Sequence, residues 1–211
     1  METQEEINNI IQRILDSEDG WKALYMASWG VVFHWLERDF KNKPSWKQPL
    51  QLGLPASKKG YQEYTPEQLD GILRSKDAEF TLGHLQTLFS LLEELITELC
   101  PIVCNEQEIV AYKFENLKKF LLGENPYQNF QISITEDEIK ELNLAKETRN
   151  CFIHKNLKVD GHWLEAFKKA RGKDSTDKIG SKLPVGFREV EDWHELIVKI
   201  VKRIKDAVIK L

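Results

Sequence analysis

The sequence predicts an all-α fold, an up-down bundle of four to five core helices with two long loop excursions at about residues 42–77 and 159–189. Three observations predict it. Apolar residues return every three or four positions along most of the chain, as one face of a helix requires. Strand-like alternation runs no further than Phe130 to Ile134. Of the 211 residues, 41% are hydrophobic and 30% charged, enough for both a core and a solvated exterior, and 1–211 reads as a single domain.

Each element follows from its own signals. Ile7, Ile10, Ile11 and Ile14 form a first short stripe that ends at Ser17-Glu18-Asp19-Gly20. Trp21, Leu24, Tyr25, Ser28, Val32, Trp35 and Leu36 form the second. In the first excursion, Thr65 caps and Pro66 opens a short helix reaching about Arg74. From Phe80 the series Leu85, Leu88, Phe89, Leu92, Leu95, Ile96 and Leu99 continues until Pro101, which is expected to stop it. A shorter helix is expected from about Glu106 to Leu122. The next starts at Thr135, where Thr-Glu-Asp-Glu is a capping box. The last begins near Val190, with Trp193, Leu196, Ile197, Ile200, Val201, Ile204, Val208 and Leu211 inward and Lys199, Lys202, Arg203 and Lys205 towards water.

Several function classes are set aside at this stage. No run of eighteen apolar residues exists, and the best candidate, Met26 to Leu36, is eleven long and includes Ser28 and His34, so no membrane partner is expected. The opening Met1-Glu2-Thr3-Gln4-Glu5-Glu6 is acidic where a secretory leader is basic. Cys100, Cys104 and Cys151 are an odd set without paired spacing, which suits thiols in a reducing compartment and a cytoplasmic location. The histidines at 34, 84, 154, 162 and 194 contain no helical pair, and no Cys-x-x-Cys occurs, so no metal site is expected. Neither a Gly-rich phosphate loop nor a nucleophile elbow is present, and no cofactor is expected.

One segment carries chemistry: Glu147-Thr148-Arg149-Asn150-Cys151-Phe152-Ile153-His154-Lys155. A helix turns about 100° per residue, so Asn150 and His154 share a face one turn apart, with Glu147 a turn earlier. Arg149 stands roughly 140° from His154, but its long side chain can swing towards the same groove. Leu142, Ala145, Phe152 and Ile153 are expected to supply apolar contacts. Histidine ordinarily titrates near neutral pH and can exchange a proton with a ribose 2′-hydroxyl. Arginine holds phosphate through two parallel hydrogen bonds and stabilises charge developing on its oxygens. Asn150 is suited to orient the imidazole, and Glu147 supports the same face. The set suits RNA cleavage without metal, and a symmetric homodimer would bring two copies together.

Arg149-Asn150-x-x-x-His154 on a late helix of an all-α bundle resembles the R-x4–6-H motif of the HEPN superfamily. The resemblance implies a helical domain, often homodimeric, whose members include metal-independent endoribonucleases of toxin–antitoxin and antiviral defence systems. It implies that Arg149 and His154 are the catalytic pair, that Asn150 is its polar neighbour, that RNA is the substrate, and that an antitoxin or other defence-system protein is a partner. HEPN toxins regulated by adenylylation carry Tyr two residues after the His, where this chain has Asn156. Some HEPN domains instead act as non-catalytic modules binding a protein or nucleotide, which is the alternative reading.

Charge is unevenly placed. Residues 155–188 hold nine Lys or Arg against four Asp or Glu, although the whole chain carries −4. Lys155, Lys158, Lys168, Lys169, Arg171 and Lys173 are the candidates for RNA-backbone contacts. A second Arg–His spacing, Arg188 and His194, reads as a helix-end charge cluster, and Glu93, Glu94 and Glu98 as a solvated helix face. Trp21, Trp35 and Trp193 fall on apolar stripes and read as core. Trp46 and Trp163 lie in the excursions and are free to cover a cleft or a dimer seam.

Overall fold

In the computed structural model, which describes residues 2–26, 30–53, 61–104, 114–128, 130 and 132–209, the helical periodicity becomes seven α-helices. These are α1 (Glu2–Tyr25), α2 (Val31–Asp39), α3 (Pro66–Cys104), α4 (Phe114–Leu122), α5 (Glu136–His154), α6 (Gly161–Arg171) and α7 (Phe187–Val208). A 3₁₀ turn (Pro44–Lys47) and an antiparallel hairpin of β1 (Leu50–Gly53) and β2 (Tyr61–Tyr64) accompany them. The fold is an all-α helical bundle, and among the described residues no helix is long and apolar enough to cross a membrane.

By its contacts the chain divides into two compact units, Met1–Glu18 with Thr81–Leu211, and Asp19–Phe80. The divisions fall inside α1 and α3. The first apolar stripe does end near Ser17-Gly20, yet the backbone there stays helical to Tyr25. Neither a proline nor a left-handed residue intervenes, and the Ser17 hydroxyl bonds back to the Ile14 carbonyl at 2.6 Å. Thr65 caps as expected: its hydroxyl accepts from the Gln68 N–H at 3.1 Å, while the Gln68 side chain accepts from the Thr65 N–H at 2.9 Å. The helix it opens does not stop at Arg74. It continues as one element of 39 residues and carries Pro101 within its last turn. A proline this near the end removes a single hydrogen bond of the ladder, which the helix tolerates. The helix expected from Glu106 is described from Phe114, and its earlier residues lie outside the described set.

In the larger unit, Ile7, Ile10, Ile11 and Ile14 of α1 and the predicted apolar series of α3 from Leu85 to Leu99 are buried. The same holds for Val190, Trp193, Ile197, Ile200, Val201 and Ile204 of α7. Phe120 of α4 packs its ring on Tyr127 and Phe130, with centroids 5.3 and 4.9 Å away. Helix α5 packs against both α6 and α7. In the smaller unit Trp21 and Leu36 are buried, and the Tyr25 hydroxyl donates to Asp77 at 2.8 Å.

The second excursion is a loop only in part, because it contains α6 and the first residues of α7. The Asp160 carboxylate accepts from the Trp163 N–H at 2.9 Å and starts α6, which Gly172 ends at φ 66°, a left-handed conformation that glycine adopts without a Cβ clash. Trp163 covers no cleft. It is 1% exposed, and its indole N–H donates to the Thr148 hydroxyl of α5 at 3.0 Å. The first excursion holds the β1–β2 hairpin and the start of α3, with residues 54–60 outside the described set.

Candidate functional site

Helix α5 is fixed before it reaches the motif. The Thr135 hydroxyl accepts from the Glu138 N–H at 3.2 Å, and the Glu138 carboxylate accepts from the Thr135 N–H at 3.0 Å. The same carboxylate takes both terminal nitrogens of Arg203, at 2.8 and 3.1 Å, and Lys199 at 2.8 Å, tying α5 to α7. The Arg203 hydrogen bonds, with those from Lys199 and the Thr135 backbone, hold its pKa down at about 2. Along the buried face lie Ile139, Leu142, Ala145, Thr148 and Cys151. Burial pushes the Cys151 thiol up to about 11, which makes it a poor nucleophile at neutral pH. Of the expected apolar contacts, Leu142 and Ala145 are buried, Phe152 is half-buried, and Ile153 is 37% exposed.

On the opposite side Asn143, Glu147, Asn150 and His154 follow one another at helical spacing. The first two, with Lys146, line an open groove of about 500 Å³ whose far wall carries His162, Glu165 and Lys169 of α6. Glu147 accepts from Lys146 at 3.0 Å and from the Asn150 amide at 3.2 Å. Asn150 is thus oriented by Glu147, one turn before the imidazole. His154 ends the helix and is exposed.

Arg149 lies on another side of α5. Its guanidinium meets Glu93 of α3 at 3.4 Å, with the two side chains 17% and 20% exposed. Glu93 therefore belongs to no solvated face. Burial raises its pKa, and the pull of Arg149 and Lys146 only partly opposes this. The Arg149 Nε is buried without a hydrogen-bond partner among the described residues.

The candidate phosphate contacts separate into two groups. Lys168 pairs with Asp174 at 3.0 Å, Lys169 with Glu165 at 2.6 Å, and Arg171 with Glu141. Lys155, Lys158 and Lys173 are exposed and make no ion pair among the described residues, and so are Lys178 and Lys182, which sequence reasoning passed over. The signal for Lys182 is long-range: it lies across an isolated antiparallel bridge from Lys158.

The second Arg–His spacing is not a surface charge cluster. His194 is fully buried, and its Nδ1 lies 2.8 Å from Nε2 of His84. Among the described residues no three His, Cys, Asp or Glu side chains gather as metal ligands do. Compared with protein-family models, curated proteins and solved structures, the chain matches none.

Proposed function

We propose that the protein is a metal-independent endoribonuclease of HEPN type, acting as a homodimer in toxin–antitoxin or antiviral defence in the cytoplasm. The reading rests on one observation above the others. The motif histidine stands exposed at the end of α5, where the chain next presents Lys155 and Lys158 with no acidic partners among the described residues. In the proposed reaction His154 takes the proton of a ribose 2′-hydroxyl. The oxygen attacks the adjacent phosphorus, the bond to the 5′ oxygen breaks, and the partner protomer's copy of the same histidine returns a proton to that leaving oxygen. Arg149 stabilises the charge on the phosphorane after exchanging its hold on Glu93 for phosphate. Asn150, held by Glu147, orients the helix end next to the imidazole.

The experiment is incubation of the full chain with RNA in EDTA. Products ending in 2′,3′-cyclic phosphate are expected, and His154→Ala and Arg149→Ala each abolish them while leaving the circular dichroism spectrum unchanged. The second reading, a non-catalytic helical module, is favoured by the Arg149–Glu93 pair, which engages the guanidinium within the fold. Absence of cleavage across varied RNAs, or cleavage indifferent to both substitutions, selects it.

A further inference from the structure

Helix α5 ends at His154, and the chain reverses through two consecutive left-handed residues, Asn156 at φ 51° and Leu157 at φ 61°. Residues other than glycine seldom adopt this conformation, and a leucine less readily than an asparagine. The turn is held on both sides. The Cys151 carbonyl accepts from the N–H groups of Lys155 and Leu157 at 3.2 and 3.1 Å, and the Lys158 N–H donates to the Lys155 carbonyl at 3.1 Å. The result is that Lys158 meets Lys182 in an antiparallel bridge.

The hydrogen bonds flanking that bridge define its type. Leu183 donates to the Leu157 carbonyl at 2.8 Å, and Val159 to the Ser181 carbonyl at 2.9 Å. Lys158 and Lys182 are therefore a non-hydrogen-bonded pair, the arrangement that brings facing side chains closest. Like charges directly opposite in such a pair repel. The acids of this stretch do not relieve them. Asp160 caps α6, Glu165 and Asp174 hold Lys169 and Lys168, and Asp177 accepts from the Ser175 hydroxyl at 2.6 Å. Lys178, whose carbonyl takes the Ser181 N–H at 3.0 Å, opens the turn into the bridge. A strained turn that sets two unneutralised lysines face to face, beside an exposed histidine, costs stability unless an anion sits between them.

We propose that Lys155, Lys158, Lys178 and Lys182 form a phosphate-binding strip that seats the RNA backbone beside His154. The proposal deepens the ribonuclease reading and rests on it for the identity of the polyanion. Lys178 and Lys182 join the contacts, and Lys168, Lys169 and Arg171, held in ion pairs, are secondary to them. The strip reads charge and not sequence, so its contribution is salt-dependent and indifferent to the bases.

The test measures binding apart from cleavage. A fluorescein-labelled single-stranded oligouridylate RNA is titrated with the full chain carrying His154→Ala, so that the probe survives, across a series of salt concentrations. Each phosphate contact contributes roughly 0.7 to the slope of log affinity against log salt for a single strand. Adding Lys158→Gln and Lys182→Gln is expected to lower the slope by about 1.4 and the affinity about tenfold at low salt. The corresponding double arginine variant restores both. The melting temperature of the double glutamine variant is expected to equal or exceed that of its parent, because repulsion is removed. An unchanged slope overturns the proposal, as does a lowered melting temperature, which would make the two lysines structural. Loss of binding to phosphatidylserine vesicles with RNA binding intact overturns it too. The EDTA cleavage assay fails or succeeds independently: cleavage with an indifferent strip removes this proposal alone, and salt-sensitive binding without cleavage removes the nuclease reading alone.

Discussion

Around the N-terminal end of helix α5, Asp137, Glu138, Glu141, Asp192 and Glu195 line an open groove of about 510 Å³; beyond its C-terminal end stand Lys155, Lys158 and Lys182. Each sign suits the helix dipole at its own end. The treatment of the charges differs. Asp137 is paired with Lys140 within α5 at 2.8 Å, while Glu138 with Arg203 and Lys199, and Glu141 with Arg171, connect α5 to α7 and α6. The side chains of the lysines after His154 make no ion pair among the described residues. Charge at one end holds helices together, and charge at the other is, in the proposed reading, available to the RNA backbone. Substitutions at the two ends should therefore separate stability from RNA chemistry.

The largest separation is expected at the histidine. His154→Ala should reduce RNA cleavage by about a thousandfold, within the range for loss of a general acid or base. Because the side chain is exposed at a helix end, the melting temperature should stay within about 1 °C. Gel quantification of cleavage alongside a thermal melt checks both. A variant that loses both together would mean that His154 is a structural residue.

Glu138→Ala at the other end is the mirror experiment. It removes half of a capping box and the two-pronged Arg203 contact, so a loss of about 2 kcal/mol is expected, or roughly 5 °C in melting temperature. Cleavage per folded molecule should not change. Denaturant unfolding with activity corrected for the folded fraction measures the two quantities, and a fall in corrected activity would show that the ends are coupled.

What the sequence made legible at these ends divides by range. Thr135 and Thr65 could be read as caps because the residues that complete them lie three positions on. The apolar stripes of α3 and α7 were readable for the same reason. Helix α6 was missed although Trp163, Ala166, Phe167 and Ala170 carry its period; the surrounding lysines and glycines looked like a loop. Other features depend on contacts far along the chain. Trp163 is buried because Thr148 receives its N–H, and Arg149 is engaged because Glu93 faces it, 56 residues earlier. The candidate site was half-legible in the same sense. The spacing of Asn150 and His154 follows from the helix, whereas the place of Lys182 follows from a bridge to Lys158.

The paired histidines, His194 buried and His84 half-buried, sharpen the comparison through pH. His84, packed on His194, has its pKa pushed down to about 3, first by burial and then by the neighbouring imidazole. An unfolded histidine titrates near 6.5, so between those values the unfolded chain binds more protons. This stability is fully present above about pH 6.5 and is lost as the pH falls towards 3. Glu138 adds a second loss that starts only below the usual carboxylate range, as the pH falls from about 4.5 to about 2. A melting temperature lower by about 5 °C at pH 5 than at pH 7 is expected. In His84→Gln that slope should flatten whatever the absolute stability. An unaltered slope would place the acid sensitivity elsewhere.

The smallest effect is expected at the turn that links the two roles. Asn156 is exposed and left-handed at φ 51°. Asparagine tolerates that conformation better than most residues, and glycine adopts it freely, so Asn156→Gly relieves little strain and adds some unfolded-state entropy. The two contributions oppose each other, and the net change should stay within about 0.5 kcal/mol, or 1–2 °C. RNA affinity should remain within about twofold, because the backbone route from Lys155 to Lys158 is unchanged and no charge is lost. Thermal melts and the salt-series titration measure both. A marked fall in affinity at constant stability would mean that the Asn156 amide itself touches the ligand, extending the binding surface from the lysines onto the turn that positions them.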